Sequence, residues 1–456
     1  MTQTRTRLER GRSALGPALE LVHTGRAPTR AVLTAELGVT RATAGAVAAE
    51  LEALGLIQVD ARPGGAGGSQ GRPSHRLAIA PNGPVVLAAQ VHSDGFRAAL
   101  VGLGGRIVAT APGCMTVPAD PAQVLGAVVE AGAGLLRETG KRCVGAGLAV
   151  PSAVAEPEGT ALNPLHLAWS AGAPVRELFT RSLAAAGIPH EGFAGNDVNL
   201  AALAEHRHGA GRGAQHLLCV ATGHRGVGGA LVLDGRLHTG SAGLALEVGH
   251  LTVNPEGAPC HCGSRGCLDI EADPLAFLTA AGREPGPEVS LLQQARELLR
   301  AEYGEPVGAG VPGESAADDA AGPATPTGAR GASDVTSGGA AGPAAAAAPG
   351  GGAGSVPRDP RVRAATHQLI DRLGLGLAGL VNILNPDRII LGGLHRELLE
   401  ADPERLRAVV AERSLWGRSG GVPILPCTLD YNSLVGAAEL AWQPVLDDPL
   451  GALTSG

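Results

Sequence analysis

A short segment near the middle of the chain places one histidine and three cysteines at the spacing of metal ligands. These residues are His250, Cys260, Cys262 and Cys267. Three thiolates and one imidazole match the tetrahedral set that Zn²⁺ accepts, and glycines between them allow the chain to turn back around an ion. Reduced thiols without a metal and a disulfide are the alternatives. Four protein ligands leave no place for a zinc-bound water, so we expect a structural ion and not a catalytic one.

The cellular compartment bears on whether these cysteines bind a metal or form a disulfide. The first residues lack the apolar segment of a signal peptide, and no stretch of about 18 residues is apolar throughout. We therefore expect a cytoplasmic protein without a membrane partner, and the reducing cytosol disfavours a disulfide. The four remaining cysteines stand apart in apolar surroundings and are expected in the core. They are Cys114, Cys143, Cys219 and Cys427.

Residues 13–57 carry a helical pattern of apolar residues that is interrupted twice. Thr29 predicts the N-cap of one helix, Gly38 its end, and Thr40 the N-cap of the next helix. Two short helices joined by a tight turn containing glycine are typical of a helix-turn-helix. Two strands around a glycine-rich tip at residues 63–73 follow, which predicts the hairpin of a winged helix.

Charge is distributed unevenly along the chain. The first 80 residues hold ten arginines, no lysine and six acidic residues, a formal charge of +4, whereas the whole chain carries −7. A basic head on an acidic body fits a nucleic-acid-binding module joined to a domain that avoids phosphate backbones. An ordinary solvated surface also accounts for +4, so charge alone leaves both interpretations open.

Beyond residue 80, apolar strands alternate with helical stretches, which predicts α/β sheets covered by helices. Residues 304–357 interrupt this pattern, because valine is the only large apolar residue among their glycines, alanines and prolines. Such a segment cannot bury enough surface to offset its ordering entropy, so we predict a disordered insertion. The predicted domains are a DNA-binding head at 1–80 and a body at 81–456, with the cysteine loop at 247–269.

The sequence resembles the ROK family of repressors, open reading frames and sugar kinases. The resemblance rests on E-x-G-H ending at His250 and on C-x-C-G-x-x-G-C-L from Cys260 to Leu268. It extends to Gly195–Asn199, residues 385–393 and Gly436–Ala438. It implies an α/β fold, the actin-like, ribonuclease-H-like pair of lobes around a sugar cleft. In the repressor branch of the family, an all-α winged-helix domain precedes the lobes.

The resemblance also implies a sugar site built from polar side chains of several loops. Its residues in this chain are His166, Asn196, Asp197, Glu247, His250 and Asp269. His250 would bind the ion with one ring nitrogen and a sugar hydroxyl with the other, so metal loss should disable sugar binding. Asp269 replaces the usual glutamate and His166 the usual asparagine, and the second change bears on which sugar is bound. Without the resemblance, Asp197 and Glu247 are also compatible with ordinary exposed carboxylates.

Kinases of this family hold ATP phosphates on a D-x-G-x-T turn and on a second, glycine-rich loop. This chain has Gln90, His92 and Asp94 in place of the Asp, Gly and Thr of the turn, and residues 224–230 depart from the second loop. The neutral amide of Gln90 cannot interact with Mg²⁺ and phosphate as the charged carboxylate does, and Asp94 would repel phosphate. We therefore predict no catalytic residue and assign Asp197, the family's catalytic base, to a sugar hydroxyl. A sugar kinase with a fused head is the alternative.

Docking geometry selects the residues that read DNA. The predicted contacts are Thr29, Arg30, Thr40, Arg41, Thr43, Ala44 and Arg72. The start of the second helix of a helix-turn-helix faces the major groove, where Arg41 suits guanine. Thr29 and Arg30 are expected at phosphates. Arg72, in a Gly-Arg-Pro tripeptide typical of the repressor branch, is expected in a narrow minor groove.

These features predict a transcriptional regulator, a repressor that a sugar or sugar derivative releases from its operator. We expect a homodimer or homotetramer on a palindromic double-stranded operator. Two other classes remain possible on the sequence: the sugar kinase, and a constitutively DNA-bound scaffold whose cysteine loop only dimerises. A panel of sugars separates the scaffold from the regulator, since no sugar should stabilise it.

Overall fold

The computed structural model describes residues 14–60, 74–93, 95–114, 120–162, 164, 167, 169–223, 225–286, 289–304, 359–415 and 421–454. Several predictions lie outside these residues. They are the wing tip with Arg72, the sugar ligand His166, the loop residues Asp94 and His224, and residues 305–357 of the insertion.

The helices are α1 (Leu15–His23), α2 (Arg30–Leu37), α3 (Arg41–Ala53), α4 (Pro121–Thr139), α5 (Val175–Ala185), α6 (Asp197–His208), α7 (Leu268–Glu271), α8 (Pro274–Ala280), α9 (Leu291–Tyr303), α10 (Pro360–Leu384), α11 (Leu394–Ala401), α12 (Pro403–Arg413), α13 (Asn432–Asp447) and α14 (Pro449–Thr454). The strands are β1 (Ile57–Asp60), β2 (Arg76–Ile79), β3 (Val85–His92), β4 (Gly95–Gly102), β5 (Ile107–Cys114), β6 (Cys143–Val150), β7 (Val154–Ala155), β8 (Thr160–Ala161), β9 (Gly192–Asn196), β10 (His216–Thr222), β11 (Val227–Leu233), β12 (Arg236–Leu237), β13 (Arg388–Gly392) and β14 (Ile424–Pro426).

The first three helices and the hairpin β1–β2 form the head. The Thr29 hydroxyl accepts a hydrogen bond from the Val32 amide at 3.3 Å, and the Thr40 hydroxyl accepts one from the Thr43 amide at 3.2 Å. Gly38 adopts the left-handed conformation, with φ 61°, that ends α2 and turns the chain into α3. Both predicted caps and the predicted turn are therefore confirmed.

Two five-stranded sheets of the same topology make up the body. Their strand orders are β5-β4-β3-β6-β9 and β12-β11-β10-β13-β14. In each sheet the first three strands in chain order pair with one another antiparallel. Two further strands add in parallel on the other side of the first strand. The hairpins β3–β4 and β10–β11 hold corresponding places in the two sheets. This repeated α/β unit is the two-lobed, actin-like arrangement that the resemblance implies.

Helix α6 lies between the two sheets. Its Val198 and Ala202 join a buried apolar cluster with strands of the second sheet. Its Leu200 joins a different cluster that contains Trp442 of α13 and Leu19 of α1. One helix thus contacts the second lobe on one side and the C-terminal helix on another.

The head packs directly on the body. Apolar residues of α1 and α13 belong to one continuous buried cluster. Gly16 of α1 lies so close to the end of α13 that a methyl group there would collide with the Leu446 carbonyl. Because the two helices share a core, the head is held against the body by apolar packing.

Only some of the cysteines outside the metal-ligand segment lie in the core. Cys219 and Cys427 are buried and Cys143 is partly buried, as expected for core residues. The prediction is wrong for Cys114, which is exposed because it ends the edge strand β5. Among the helices in the described part of the chain, none is long and apolar enough to cross a membrane.

Candidate functional site

The predicted metal ligands meet at one point. One ligand atom from each of His250, Cys260, Cys262 and Cys267 lies within 4.8 Å of all the others. The Sγ atoms of Cys262 and Cys267 are 3.7 Å apart, and Cys260 Sγ is 3.8 Å from His250 Nδ1. Two sulfurs bound to one Zn²⁺ at about 2.3 Å in a tetrahedron stand about 3.8 Å apart. The spacing fits a metal, and the distance between Cys262 and Cys267 is too long for a disulfide, whose sulfurs are about 2 Å apart.

The loop that carries the cysteines is closed by its own backbone. The Cys260 amide donates to the Ser264 carbonyl at 2.8 Å, and the Leu268 amide donates to the Leu251 carbonyl at 2.8 Å. Gly266 has φ 60° and lies against the backbone of Asn254, so a side chain at this position would collide with it. The sequence folds this way because glycine permits both the left-handed turn and the close approach.

The protonation of the thiols bears on whether the cluster suits a metal ion. Burial, with the neighbouring thiols adding to it, raises the pKa of Cys267 to about 12. Three thiolates in this space would repel one another, whereas a divalent ion supplies the positive charge that allows them to ionise. The donor set and its spacing therefore fit a metal ion.

Asn196 and Asp197 stand at the junction of β9 and α6. The Asn196 side-chain oxygen accepts from the Val198 and Asn199 amides at 3.0 and 2.9 Å and caps α6. Its amide group donates to the Ser152 carbonyl at 3.2 Å and to Asp197 Oδ1 at 3.3 Å. Both ends of Asn196 are thus used within the protein, and its bonds position Asp197 at the start of the helix.

Three carboxylates from separate elements influence one another. Burial raises the pKa of Asp197 to about 7, and the charge of Glu247 adds to this rise. Burial also raises the pKa of Glu247, with the charge of Asp269 acting in the same direction. Asp269 is buried in α7, and its Oδ1 accepts from the Val227 amide of β11 at 2.8 Å. The three carboxylates that the resemblance places around a sugar thus lie in one electrostatic environment.

A glycine brings the metal ligands and these carboxylates together. Gly249 precedes His250 in a short 3₁₀ turn and lies against the Val227 carbonyl and Asp269 Oδ1. A side chain at this position would push the turn away from β11. The two predicted sites are therefore parts of one structure.

The helix-turn-helix face carries most of the predicted DNA contacts. Thr40 and Arg41 are exposed at the start of α3, and Thr43 is partly exposed. The hydroxyls of Thr40 and Thr43 lie 2.9 Å apart and hydrogen-bond to each other. The prediction is wrong for Ala44, which is 0% exposed and faces the core of the head, so it cannot reach a base edge.

Two functional candidates were missed by sequence reasoning. Asp273 lies close to Asp269, and its burial raises its pKa to about 6. Asp273 is also the N-cap of α8, where it accepts a hydrogen bond from the Ala276 amide at 2.8 Å. A buried cluster of His23, His208 and Glu439 is the second, and its members are too far apart in the chain to form a motif.

Comparison with known proteins identifies relatives of this chain. Residues 88–305 match the model of the ROK family. A glucokinase of Halalkalibacterium halodurans is 51% identical over 78 residues, which are 17% of this chain and 23% of the glucokinase. A putative xylose repressor of a Caldicellulosiruptor species is 27% identical over 278 residues, 60% of this chain and 56% of the repressor. The matched segments thus span about half the length of these relatives or less.

A solved structure matches nearly the whole chain. A ROK family transcriptional regulator, described as a homologue of the Escherichia coli MLC protein, superposes with a TM-score of 0.67 at 20% identity. The match covers 98% of this chain and 100% of that chain. The shared fold therefore includes both the head and the two-lobed body.

Proposed function

We propose that this chain, whose residues 88–305 match the model of the ROK family, is a transcriptional repressor whose affinity for DNA is controlled by a sugar. The observation that carries the proposal is a capped helix-turn-helix packed on a body in which Asp197, Glu247 and Asp269 influence one another. The proposal assigns residues 1–80 to DNA binding and residues 81–456 to sugar binding. The repressor among the relatives and the shared fold of a ROK regulator support it.

In this proposal the sugar occupies the region of Asp197, Glu247 and Asp269. Carboxylates accept hydrogen bonds from sugar hydroxyls, and a wrong epimer leaves one of these buried groups unpaired. Two heads of a homodimer bind the half-sites of a palindromic operator, and sugar changes their placement. The effect on DNA affinity equals the difference in sugar affinity between the two arrangements.

We propose Zn²⁺ as the ion at His250, Cys260, Cys262 and Cys267. When bound, it holds the loop closed and fixes the imidazole of His250. Since Nδ1 of His250 faces the thiols, Nε2 is left for a sugar hydroxyl. The ion has a structural role, and four protein ligands leave no position for a catalytic water.

A sugar kinase is the second candidate, because two observations favour it. One is the glucokinase match over 78 residues. The other is Asp197, whose pKa of about 7 suits a general base near neutral pH. Gln90 and His92 at the first phosphate turn argue against it. Incubation of the chain with ATP, Mg²⁺ and glucose, xylose or N-acetylglucosamine decides the question, and we expect no ADP above the no-sugar control.

The proposal is tested with the full chain and two measurements. The same three sugars are screened by thermal shift, and a random duplex library is enriched for binding to the chain. We expect one sugar to raise the melting temperature and to weaken binding of the enriched duplex. No stabilisation by any sugar, with DNA binding intact, would favour the constitutive scaffold instead.

Arg41→Ala tests the assignment of the recognition helix. Arg41 is exposed at the first turn of α3, and loss of a bidentate contact to guanine costs about 1–3 kcal/mol at one base position. We expect weaker binding to the enriched duplex and relaxed preference at that position, measured by anisotropy against single-base variants. Arg137→Ala, an exposed arginine on α4 of the body, is the control. An equal loss on every duplex would assign Arg41 to a phosphate.

A further inference from the structure

Glu439 of α13 lies where the head meets the body, and its side chain is 0% exposed. His23 Nε2 is 3.0 and 2.9 Å from its two carboxylate oxygens. His208 Nε2 is 2.8 Å from Oε1, and Arg207 Nη1 is 2.6 Å from Oε2. His23 is the last residue of α1, and Arg207 and His208 are the last residues of α6. One carboxylate on α13 therefore binds residues of two other helices, α1 in the head and α6 in the body.

The contacts in this cluster determine which ring nitrogen of His23 carries its proton and keep Glu439 charged. The Gly104 amide donates to His23 Nδ1 at 2.9 Å, so the ring carries its proton on Nε2 and donates it to Glu439. Burial alone would raise the pKa of Glu439, but His23, His208 and Arg207 outweigh it and hold the pKa well below its usual range. Glu439 therefore stays ionised, and loss of a donor would leave a buried charge without compensation.

Two imidazoles and a carboxylate this close together are also the donors of a metal site. The position of Arg207 argues against that interpretation. Its guanidinium is bound to Oε2 and donates a second bond to Gln443 Oε1 at 3.1 Å, which places a fixed positive charge beside the would-be ligands. A divalent cation would have to displace it, so the cluster is an ion-pair network.

Helix α6 connects this network with the proposed sugar site. It begins at Asp197, ends at His208 and contains 12 residues, which corresponds to about 18 Å. Its start is fixed by Asn196, which positions Asp197, and its end by the bonds to Glu439. Val198 and Leu200 pack it against different buried clusters. A packed helix moves as a unit, so displacement at Asp197 changes the position of Arg207 and His208.

We propose that Glu439 couples the cleft to the head, with His23 as the positioning residue that seats α1 on the body. Sugar at Asp197 shifts α6, the bonds of Arg207 and His208 to Glu439 change, and the bond from Glu439 to His23 changes with them. The seating of the head then differs between the two states, which is the differential contact that linkage requires. This inference rests on the proposed function.

Glu439→Gln tests the coupling, because glutamine keeps the size of the side chain and removes its charge. In the wild-type chain we expect sugar to change the affinity for the enriched duplex by about 5–150-fold. In the variant we expect a change of less than about twofold, with sugar affinity by calorimetry within about threefold of wild type. Glu205→Gln is the matched control. Glu205 is also fully buried on α6, but it binds Ala210, Thr428 and Leu429 of the body, so the response should remain.

Two further measurements keep the test decisive if Glu439→Gln does not fold. His23→Gln retains a donor for Glu439 and should keep the response, whereas His23→Leu should lose it. In the wild-type chain, added sugar should change hydrogen exchange at the Gly104 amide, which donates to His23. A full response in Glu439→Gln or His23→Leu, or unchanged exchange at Gly104, overturns the coupling and leaves the repressor function standing. A wild-type chain whose DNA binding ignores every sugar overturns both.

Discussion

Replacing Cys262 by serine is expected to release the metal and to abolish stabilisation of the chain by sugar. A serine hydroxyl does not ionise at neutral pH, so the site keeps only three of its four ligands. Because outer partners of metal ligands already contribute 10–100-fold in affinity, we expect zinc affinity to fall by more than about 100-fold. Zinc content by mass spectrometry and competition with a chromophoric chelator measure this loss.

Exposure makes Cys262 the informative ligand to change. Cys260 and Cys267 are buried, so their substitution would disturb packing as well as metal binding, whereas Cys262 is exposed. Cys114→Ser, a change at an exposed cysteine outside the cluster, is the control and should keep the metal and the sugar response. The sugar-induced thermal shift should disappear in Cys262→Ser because His250 is no longer fixed. A full thermal shift in the metal-free variant would show that His250 does not link the two sites.

The features that the sequence predicted well are local. Thr29, Gly38 and Thr40 act within three residues of themselves, and capping chemistry is sufficient to place α2 and α3. The metal ligands span residues 250–267, and the glycines between them permit the tight turns of this loop. The order of strands in the two sheets is not local and was not predicted, and only the resemblance to a family implied the two-lobed fold.

One error could have been avoided. Ala44, Val47, Ala48 and Leu51 recur at the i, i+3, i+4 and i+7 spacing of one helical face, and all four are buried. The pattern already placed Ala44 on the side of α3 that faces the core. Docking geometry selected the first turn of the helix as a whole, whereas only the side of the turn that carries Arg41 is exposed.

Other features could not have been found in the sequence. His23 and Glu439 are 416 residues apart, and neither stands in a recognisable motif. The head appeared as a separate unit because composition reveals a change of charge but not the packing of α1 on α13. The bond of Asn196 to Ser152 was also out of reach, since it depends on the placement of β6 beside β9.

Asp197→Asn is expected to stabilise the chain at alkaline pH and to weaken sugar binding. The folded state raises the pKa of Asp197 from its ordinary value near 3.8 to about 7, mainly by burial. A raised carboxyl pKa contributes stability that is complete below the ordinary value and is lost as pH rises through the folded value. The free energy of unfolding of the wild-type chain should therefore decrease between about pH 4 and pH 7. The variant lacks this ionisation. Its free energy of unfolding should therefore equal that of the wild-type chain at pH 4 and exceed it by a few kcal/mol at pH 8.

Sugar affinity, unlike stability, should be lower in the variant than in the wild-type chain at pH 8. An ionised carboxylate accepts stronger hydrogen bonds than an amide, by about 1–2 kcal/mol per bond, so Asp197→Asn should bind sugar roughly tenfold more weakly at pH 8. Wild-type affinity should rise from pH 5 to pH 8 as Asp197 ionises, whereas that of the variant should stay flat. Urea unfolding at pH 4, 7 and 8 measures the change in stability, and calorimetry at pH 5 and 8 measures the change in sugar affinity. Glu130→Gln, at an exposed carboxylate of α4, is the control. Because a variant that only disturbed folding would lose stability, simultaneous gain of stability and loss of affinity distinguishes a binding residue from a structural one.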